Sequence, residues 1–197
     1  MNYLAHAYLS FNNTNILVGN MISDYVKGKT KYNYSNTVQQ GITLHRKIDA
    51  YTDSHRIVKE AKLLLQPHYR LYSGAFVDVI FDHYLAKKLH TEIDLMAFSQ
   101  HTYNTLQQQI DVVPLAFAKM LPYMQQHNWL YNYQYNWAML KSFKGLQHRA
   151  KYLTEVETAF QIFENEYSVF EQYFHQFWNE LYTYAKNEFE MLDNSGV

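Results

Sequence analysis

The segment GITLHRKIDAYTDSH (41–55) places histidines and aspartates among the apolar residues of a helical pattern. With about 100° of rotation per residue and His45 at zero, Asp49 falls at about 40° and Asp53 at about 80°. All three therefore share a face that apolar neighbours mark for burial, where charged groups are costly. A bound cation would remove that cost, because imidazole and carboxylate are the ligand mixture of manganese, iron, zinc and magnesium sites.

A second helical segment, GAFVDVIFDHYLAKKL (74–89), repeats the pattern. Asp78 and Asp82 are four residues apart and lie in the same arc as the apolar Phe81. Two carboxylates this close repel each other, and burial adds to the cost of their charge. A bound cation resolves both problems. His83 lies about 100° from Asp82, so its access to the same site is less direct.

Two further polar residues interrupt apolar helical stretches. His6 lies in YLAHAYL, and Asp24 lies in ILVGNMISDYV. Each alone is explained as an ordinary core or surface residue, but with the two segments above they complete a set of ligands from four helices. Metal sites of this kind activate water at neutral pH and neutralise charge on a phosphoryl group. The predicted metal ligands are His6, Asp24, His45, Asp49, Asp78 and Asp82.

A structural explanation of each pair stays open. His45 and Asp49 could form a hydrogen bond between successive helical turns, and Asp78 and Asp82 could pair with cations such as Arg70. A helical binding or regulatory module, in which these residues form a polar network, is therefore an alternative of another class.

The helices that must position these residues follow from an apolar period of about 3.6 residues. We predict them at 2–11, 15–28, 35–54, 56–66, 71–90, 94–111, 114–127, 135–148 and 151–191. The 197 residues are 48% hydrophobic, with three prolines, six glycines and no linker, which predicts an all-α, single-domain helical bundle over residues 1–197. The absence of cysteine excludes disulfides, thiolate metal sites and a cysteine nucleophile.

Charge is unevenly distributed along the chain, although the net charge is −1. Eight cations and three acids lie from Lys27 to Lys62, whereas nine acids and one cation, Lys186, lie from Glu155 to Asp193. This asymmetry favours an anionic partner, although ordinary solvated helix faces explain it equally well. Neither a membrane span nor a signal peptide is recognisable, so we expect a cytoplasmic protein with no membrane or nucleic acid as partner.

The chain contains, in this order, MNYLAHAYLS, GNMISDYVKGK, GITLHRKIDAYTDSH and FVDVIFDHYLAKKL. In order and spacing these segments resemble the acyl carrier protein phosphodiesterase family. The similarity is dense over residues 1–90 and rests beyond them on length, helical character and scattered aromatic residues. The family is similar to the all-helical HD-type metal-dependent phosphohydrolases. The adjacent His-Asp pair that names HD proteins is absent here, however, and the adjacent pair Asp82-His83 has the reverse order.

The resemblance implies hydrolysis of the phosphodiester that joins 4′-phosphopantetheine to the serine of holo-acyl carrier protein, with manganese as the favoured metal. Water activated at the metal would attack phosphorus in line, with a carboxylate as base and a protonated group assisting the serine oxygen. We expect catalytic carboxylates at Asp24, Asp49, Asp53 and Asp78, supported by Thr52 and His83. Acyl carrier proteins are strongly acidic, so the expected residues for binding substrate or carrier are Lys27, Lys29, Arg46, Lys47 and Arg56.

Another HD-like, metal-dependent phosphohydrolase is the alternative within the same class. It would act on a nucleotide or another small phosphate ester with the same buried ligands, and it would need no surface for a carrier protein.

Overall fold

The chain is built from helices and short connections over residues 1–194, the part that the computed structural model describes. The α-helices are α1 (Tyr3–Tyr8), α2 (Thr14–Ile22), α3 (Asn36–Ser54), α4 (Arg56–Tyr69), α5 (Ser73–Glu92), α6 (Leu95–Gln108), α7 (Leu115–Gln126), α8 (Trp129–Asn132), α9 (Asn136–Arg149), α10 (Glu157–Asn165) and α11 (Tyr167–Asn194). Short 3-10 helices occur at Ser23–Tyr25, Gly28–Asn33 and Arg70–Tyr72. No strand occurs in these residues, which confirms the predicted all-α class.

The helix predicted at 15–28 is wrong in its second half. α2 ends at Ile22, and the chain turns through the 3-10 helix Ser23–Tyr25. Gly28 follows with a φ angle of 53°, a left-handed conformation that glycine adopts without steric cost. Asp24 therefore lies on a tight turn after α2, and an extrapolation of the α-helical period does not give its direction.

The other boundary differences are smaller. The helix predicted at 151–191 divides into α10 and α11 and begins only at Glu157. Pro67 lies inside the last turn of α4 instead of ending the helix before it. Neither difference moves a predicted metal ligand.

α2 and α3 pack with their backbones almost in contact, because a glycine of each helix faces the other. A Cβ atom added to Gly19 would lie 2.1 Å from the carbonyl oxygen of Val38. A Cβ atom added to Gly41 would lie 2.3 Å from the carbonyl oxygen of Ile16. Both distances are too short for any side chain, so the two glycines permit an approach that other residues would prevent. This approach brings the end of α2 beside His45 of α3.

One continuous hydrophobic core joins the helices in the described part of the chain. α5 is buried over most of its length, including Phe76 and Phe81. α11 packs against α3, α4 and α5 and contributes the fully buried rings of Phe170, Phe174 and Phe177. The acidic C-terminal third thus covers the core with its apolar face. Among the described helices, none combines the length and hydrophobicity that crossing a membrane requires.

Replacing Gly19 by alanine is expected to lower the free energy of unfolding by about 1–3 kcal/mol, the usual cost of inserting a group into a packed interface. Gly145→Ala is the matched control, since a Cβ atom there meets no atom within 4 Å and alanine favours a helix over glycine. Urea unfolding followed by circular dichroism measures both variants. Gly145→Ala should be at least as stable as the wild type, and wild-type stability of Gly19→Ala would contradict the close contact.

Candidate metal centre

His6 is carried by α1, a helix of six residues whose amino end is held by Asp82 of α5. The carboxylate of Asp82 accepts hydrogen bonds from the backbone N–H groups of Leu4 at 2.7 Å and of Asn2 and Ala5 at 3.3 Å. A negative charge is stabilising at this end of a helix. Burial raises the pKa of Asp82 to about 7, although the three amides favour its charged form. Both oxygens accept hydrogen bonds from the amino end of α1, so the role of Asp82 as a metal ligand stays a prediction. Its carboxylate anchors α1.

Asn20 of α2 holds the rings of both buried histidines. Its side-chain NH2 donates to the backbone carbonyl of His6 at 2.8 Å and to Oγ of Ser10 at 3.1 Å. Its Oδ1 therefore accepts from Nδ1 of His6, at 2.8 Å, and its backbone carbonyl accepts from Nδ1 of His45, at 2.7 Å. Because each Nδ1 is a donor, each Nε2 is the atom left for another partner. The two rings stack with centroids 3.9 Å apart.

Asp49 lies between the two Nε2 atoms. Its Oδ1 is 3.2 Å from Nε2 of His6, and its Oδ2 is 3.0 Å from Nε2 of His45. Oδ1 of Asp24 also approaches Nε2 of His45, at 3.2 Å. One ligand atom from each of His6, His45 and Asp49 lies within 4.8 Å of the others. The structure thus brings four of the six predicted ligands together.

The protonation of this cluster follows from its contacts. Burial lowers the pKa of His45, but its hydrogen bonds to Asp24 and Asp49 outweigh burial and raise the pKa to about 9. Burial lowers the pKa of His6, and the neighbouring charge of His45 lowers it further. Burial raises the pKa of Asp49, but the neighbouring imidazoles of His6 and His45 and the amino group of Met1 hold it well below its ordinary value. At neutral pH the cluster therefore contains a positively charged His45 ring, a neutral His6 ring and the ionised carboxylates of Asp24 and Asp49.

One atom of the cluster lacks a partner. Nε2 of His6 is buried and makes no hydrogen bond, although Oδ1 of Asp49 is 3.2 Å away. With the proton on Nδ1, this Nε2 carries a lone pair that faces a carboxylate oxygen, and two acceptors this close repel each other. A cation would satisfy both atoms at once. The donor set of two imidazole nitrogens and carboxylate oxygens fits a divalent transition metal.

A cavity of about 500 Å³, here called the site cavity, opens beside the cluster. Its wall includes Met1, Asp24, Asp78, Arg149 and Lys151. Asp78 accepts a hydrogen bond from the amino group of Met1 at 2.9 Å, and the same amino group lies 3.9 Å from Oδ1 of Asp49. Asp78 is therefore next to the cluster, with a cationic group between it and Asp49.

Two predicted residues lie elsewhere. The side chain of Asp53 is 74% exposed and forms an ion pair with Lys62 at 2.7 Å, because its position at the edge of the inward face leaves it within reach of a surface cation. His83 is buried, with Nδ1 2.7 Å from the carbonyl oxygen of Tyr133 and Nε2 2.8 Å from the hydroxyl of Tyr167. Neither side chain contacts the cluster in this structure, so the predicted roles of both residues lack structural support.

Three more predicted residues lie on or beside α3. Thr52 is buried, and its hydroxyl has no hydrogen-bond partner. Arg46 is exposed and donates to the carbonyl oxygen of Val26 at 3.0 Å. Lys47 forms an ion pair with Glu188 of α11, and its role in binding substrate or carrier stays a prediction.

The remaining predicted cations are at the surface. Lys27 and Lys29 are exposed in the segment that directly follows Asp24. Arg56, at the start of α4, is exposed and forms an ion pair with Glu60 at 3.4 Å. Their roles in carrier binding stay predictions.

The sequence pattern does not reveal two residues of this region. The signal for Asn20 was a single amide in the apolar run ILVGNMI, which periodicity alone does not connect to a histidine. Arg149, the last residue of α9, reaches the site cavity only through tertiary packing, and no motif relates it to Asp24.

Known proteins resemble the chain over nearly its whole length. A family model described as acyl carrier protein phosphodiesterase matches residues 1–181. An acyl carrier protein phosphodiesterase of Photorhabdus laumondii is 31% identical over 191 residues, which cover 95% of this chain and 96% of the relative. Proteins of the same name from Pectobacterium atrosepticum and Yersinia enterocolitica are 30% and 28% identical, each covering 95% of this chain and 99% of the relative.

No solved structure matches the chain significantly, so the likeness to HD-type phosphohydrolases stays an expectation. The family match includes α1, α3, α5 and the turn Ser23–Tyr25, which carry the histidines and aspartates described above. The predicted family is confirmed, and the chain belongs to the acyl carrier protein phosphodiesterase family of hydrolases.

Proposed function

We propose that this protein hydrolyses the phosphodiester between 4′-phosphopantetheine and the serine of holo-acyl carrier protein. The oxygen of water bonds to phosphorus, the bond from phosphorus to the serine oxygen breaks, and that oxygen takes up a proton. The products are apo-carrier and free 4′-phosphopantetheine. Family membership supports the substrate, since the relatives carry the name acyl carrier protein phosphodiesterase.

The observation that carries the chemistry is the pair of imidazole Nε2 atoms that share the carboxylate of Asp49 beside a cavity. We propose that His6, His45 and Asp49 hold a divalent cation, with Asp24 within reach and manganese as the favoured ion. When bound, such an ion neutralises charge on phosphoryl oxygens and lowers the pKa of water.

Asn20 and Asp24 orient the groups around the proposed ion. Asn20 fixes both Nδ1–H tautomers, so that each ring presents Nε2 to the site. Asp24 lies on the cavity wall with its side chain 69% exposed, and its hydrogen bond with His45 keeps its pKa below the ordinary value. It is therefore ionised at neutral pH and placed to accept a proton from water or to orient it.

The carrier would approach over the exposed cations next to the site. Lys27 and Lys29 belong to the short segment that begins two residues after the end of the Ser23–Tyr25 turn, and Asp24 of that turn lines the site cavity. Cations in this position favour an acidic partner and orient it with its modified serine towards the cavity.

Incubation with holo-acyl carrier protein and manganese is expected to yield apo-carrier and 4′-phosphopantetheine, both detectable by mass spectrometry. Asp49→Asn should reduce kcat/KM by more than about 100-fold, since residues that merely orient metal ligands already contribute about 10- to 100-fold. Asp53→Asn is the matched control on the same helix, because Asp53 faces solvent and pairs with Lys62. Equal activity of Asp49→Asn and Asp53→Asn would contradict the assigned cluster, and no conversion by metal-loaded wild type would overturn the substrate assignment.

Metal binding should depend on pH through His45. Its pKa of about 9 exceeds the ordinary value of 6.5, so near pH 7 a bound metal must displace the proton from Nε2. Manganese affinity is therefore expected to rise about tenfold per pH unit from pH 7 towards pH 9 and to level off above it. Calorimetric titration in buffers of different ionisation enthalpy measures the released proton, which should number about one per ion.

His45→Gln should abolish this binding, whereas His55→Gln should retain it, because His55 pairs with Glu180 on another surface. Manganese affinity that is constant between pH 7 and pH 9, or unaffected by His45→Gln, would refute the ligand assignment.

Reversing the charge of Lys27 and Lys29 together, each to glutamate, is expected to raise KM for holo-acyl carrier protein about tenfold or more at low salt, because the approaching carrier is acidic. The turnover of a small phosphodiester such as bis(p-nitrophenyl) phosphate should not change. Lys186→Glu is the control, since Lys186 is exposed on α11, within the acidic C-terminal third. The same rise in KM for Lys186→Glu, or no rise for the double variant, would show that the segment after Asp24 does not bind the carrier.

A further inference from the structure

We infer that a second cavity, beside the site cavity, binds the pantetheine arm of the prosthetic group, an inference that rests on the proposed function. This aromatic cavity has a volume of about 510 Å³ and is lined by residues that include Trp129, Asn132, Tyr133, Trp137, Ser142 and Gly145. Its volume lies within the range of roughly 300–1,000 Å³ that is typical of small-ligand sites. None of the residues predicted from the sequence as ligands or catalytic groups lies in its wall.

The two cavities adjoin each other. Asn2, Tyr3 and Arg149 belong to the walls of both. The side chain of Asn2 donates to the hydroxyl of Tyr133 at 2.9 Å, so the partition between the cavities is hydrogen-bonded and ordered. Because the two cavities share these wall residues, a substrate with its phosphate at the site cavity would have its organic arm next to the aromatic cavity.

The wall of the aromatic cavity matches the chemistry of that arm. Pantetheine alternates apolar parts, a dimethyl-bearing carbon and methylene groups, with two amides. The rings of Trp129 and Trp137 offer apolar faces, while Asn132, Gln126 and Ser142 offer amide and hydroxyl groups for hydrogen bonds. Mixed walls of this kind, mostly apolar with a few placed polar groups, are typical of small-ligand sites.

Two small residues leave the space open. Gly145 and Ala138 both lie in the cavity wall on α9. A Cβ atom added to Gly145 would meet no atom within 4 Å. A larger side chain at this position would therefore begin in open space at the cavity wall.

Arg149 lies where the phosphate end and the organic arm would meet. Its Nε donates to the carbonyl oxygen of Gly145 at 3.2 Å, and its Nη1 is 3.4 Å from the hydroxyl of Tyr3. None of the ion pairs among the side chains that the structure describes involves Arg149. A guanidinium without a carboxylate partner at this junction is suited to bind a phosphate oxygen of the substrate and to fix the direction in which the arm leaves.

Binding of free pantetheine, which has no phosphate, tests the aromatic cavity alone. Two of the three tryptophans, Trp129 and Trp137, line it, whereas Trp178 is buried elsewhere. Pantetheine should therefore change the tryptophan fluorescence of the wild type in a saturable way. Gly145→Leu should weaken this binding at least tenfold, and Gly145→Ala should weaken it less, because the effect grows with the volume that enters the cavity.

Lys144→Leu is the matched control, since it adds the same side chain to the neighbouring position of α9, outside both cavities. It should bind pantetheine as the wild type does. Wild-type binding by Gly145→Leu, or no saturable response of the wild type, would overturn the inference.

Comparison of pantetheine with 4′-phosphopantetheine tests Arg149. Arg149→Gln should weaken 4′-phosphopantetheine about tenfold, the usual loss for a hydrogen bond to a charged group, and should weaken pantetheine much less. Equal weakening of both ligands would overturn the role of the guanidinium in phosphate binding.

Turnover separates this inference from the proposed function. If the wild type converts holo-acyl carrier protein and Gly145→Leu converts it with the same kcat/KM, the arm lies elsewhere while the proposed function stands. If Gly145→Leu lowers kcat/KM for the carrier at least tenfold but leaves bis(p-nitrophenyl) phosphate turnover intact, the arm site is supported. No conversion by the metal-loaded wild type would overturn the proposed function, and pantetheine binding would still decide whether the cavity takes this ligand.

Discussion

The close approach of α2 and α3 is the constraint on which the candidate site depends. Gly19 and Gly41 let the two backbones meet, and Asn20, the next residue after Gly19, then lies near enough to accept a hydrogen bond from His45 at 2.7 Å. The same asparagine holds His6 through its side chain. The contact between the two backbones therefore positions the asparagine that orients both imidazoles.

The carboxylates of the cluster and of Asp78 lie beside positively charged groups. Without a metal, a proton on His45 lies between two carboxylates, and the amino group of Met1 lies between Asp49 and Asp78. These charges offset much of the repulsion among the acids, but they leave Nε2 of His6 without a partner. A buried polar atom without a partner calls for an explanation, and the cation proposed for this site would supply one.

Periodicity predicted the all-α fold and the inward direction of His45 and Asp49. Within one helix, the angle between two side chains around the helix axis follows from their separation in the sequence. Periodicity could not predict what each inward group meets. Asp82 points inward as expected, but its carboxylate is hydrogen-bonded to the amino end of α1. Asp53 lies at the edge of the inward face, where it forms an ion pair with Lys62. Asp24 lies on a 3-10 turn, and Arg149 of α9 lies in the wall of the site cavity. Both positions depend on tertiary packing, and no local sequence pattern predicts them.

The hold of Asp82 on α1 also constrains the order in which the molecule assembles. The hydrogen bond from Leu4 to Asp82 joins residues 78 positions apart, and a helix of six residues is too short to persist by itself in water. α1 therefore becomes helical only when α5 is already in place to receive it. His6 reaches the cluster only when α1 is docked on α5, so a chain with α1 undocked lacks one ligand of the proposed metal, and such an ion would stabilise the docked form.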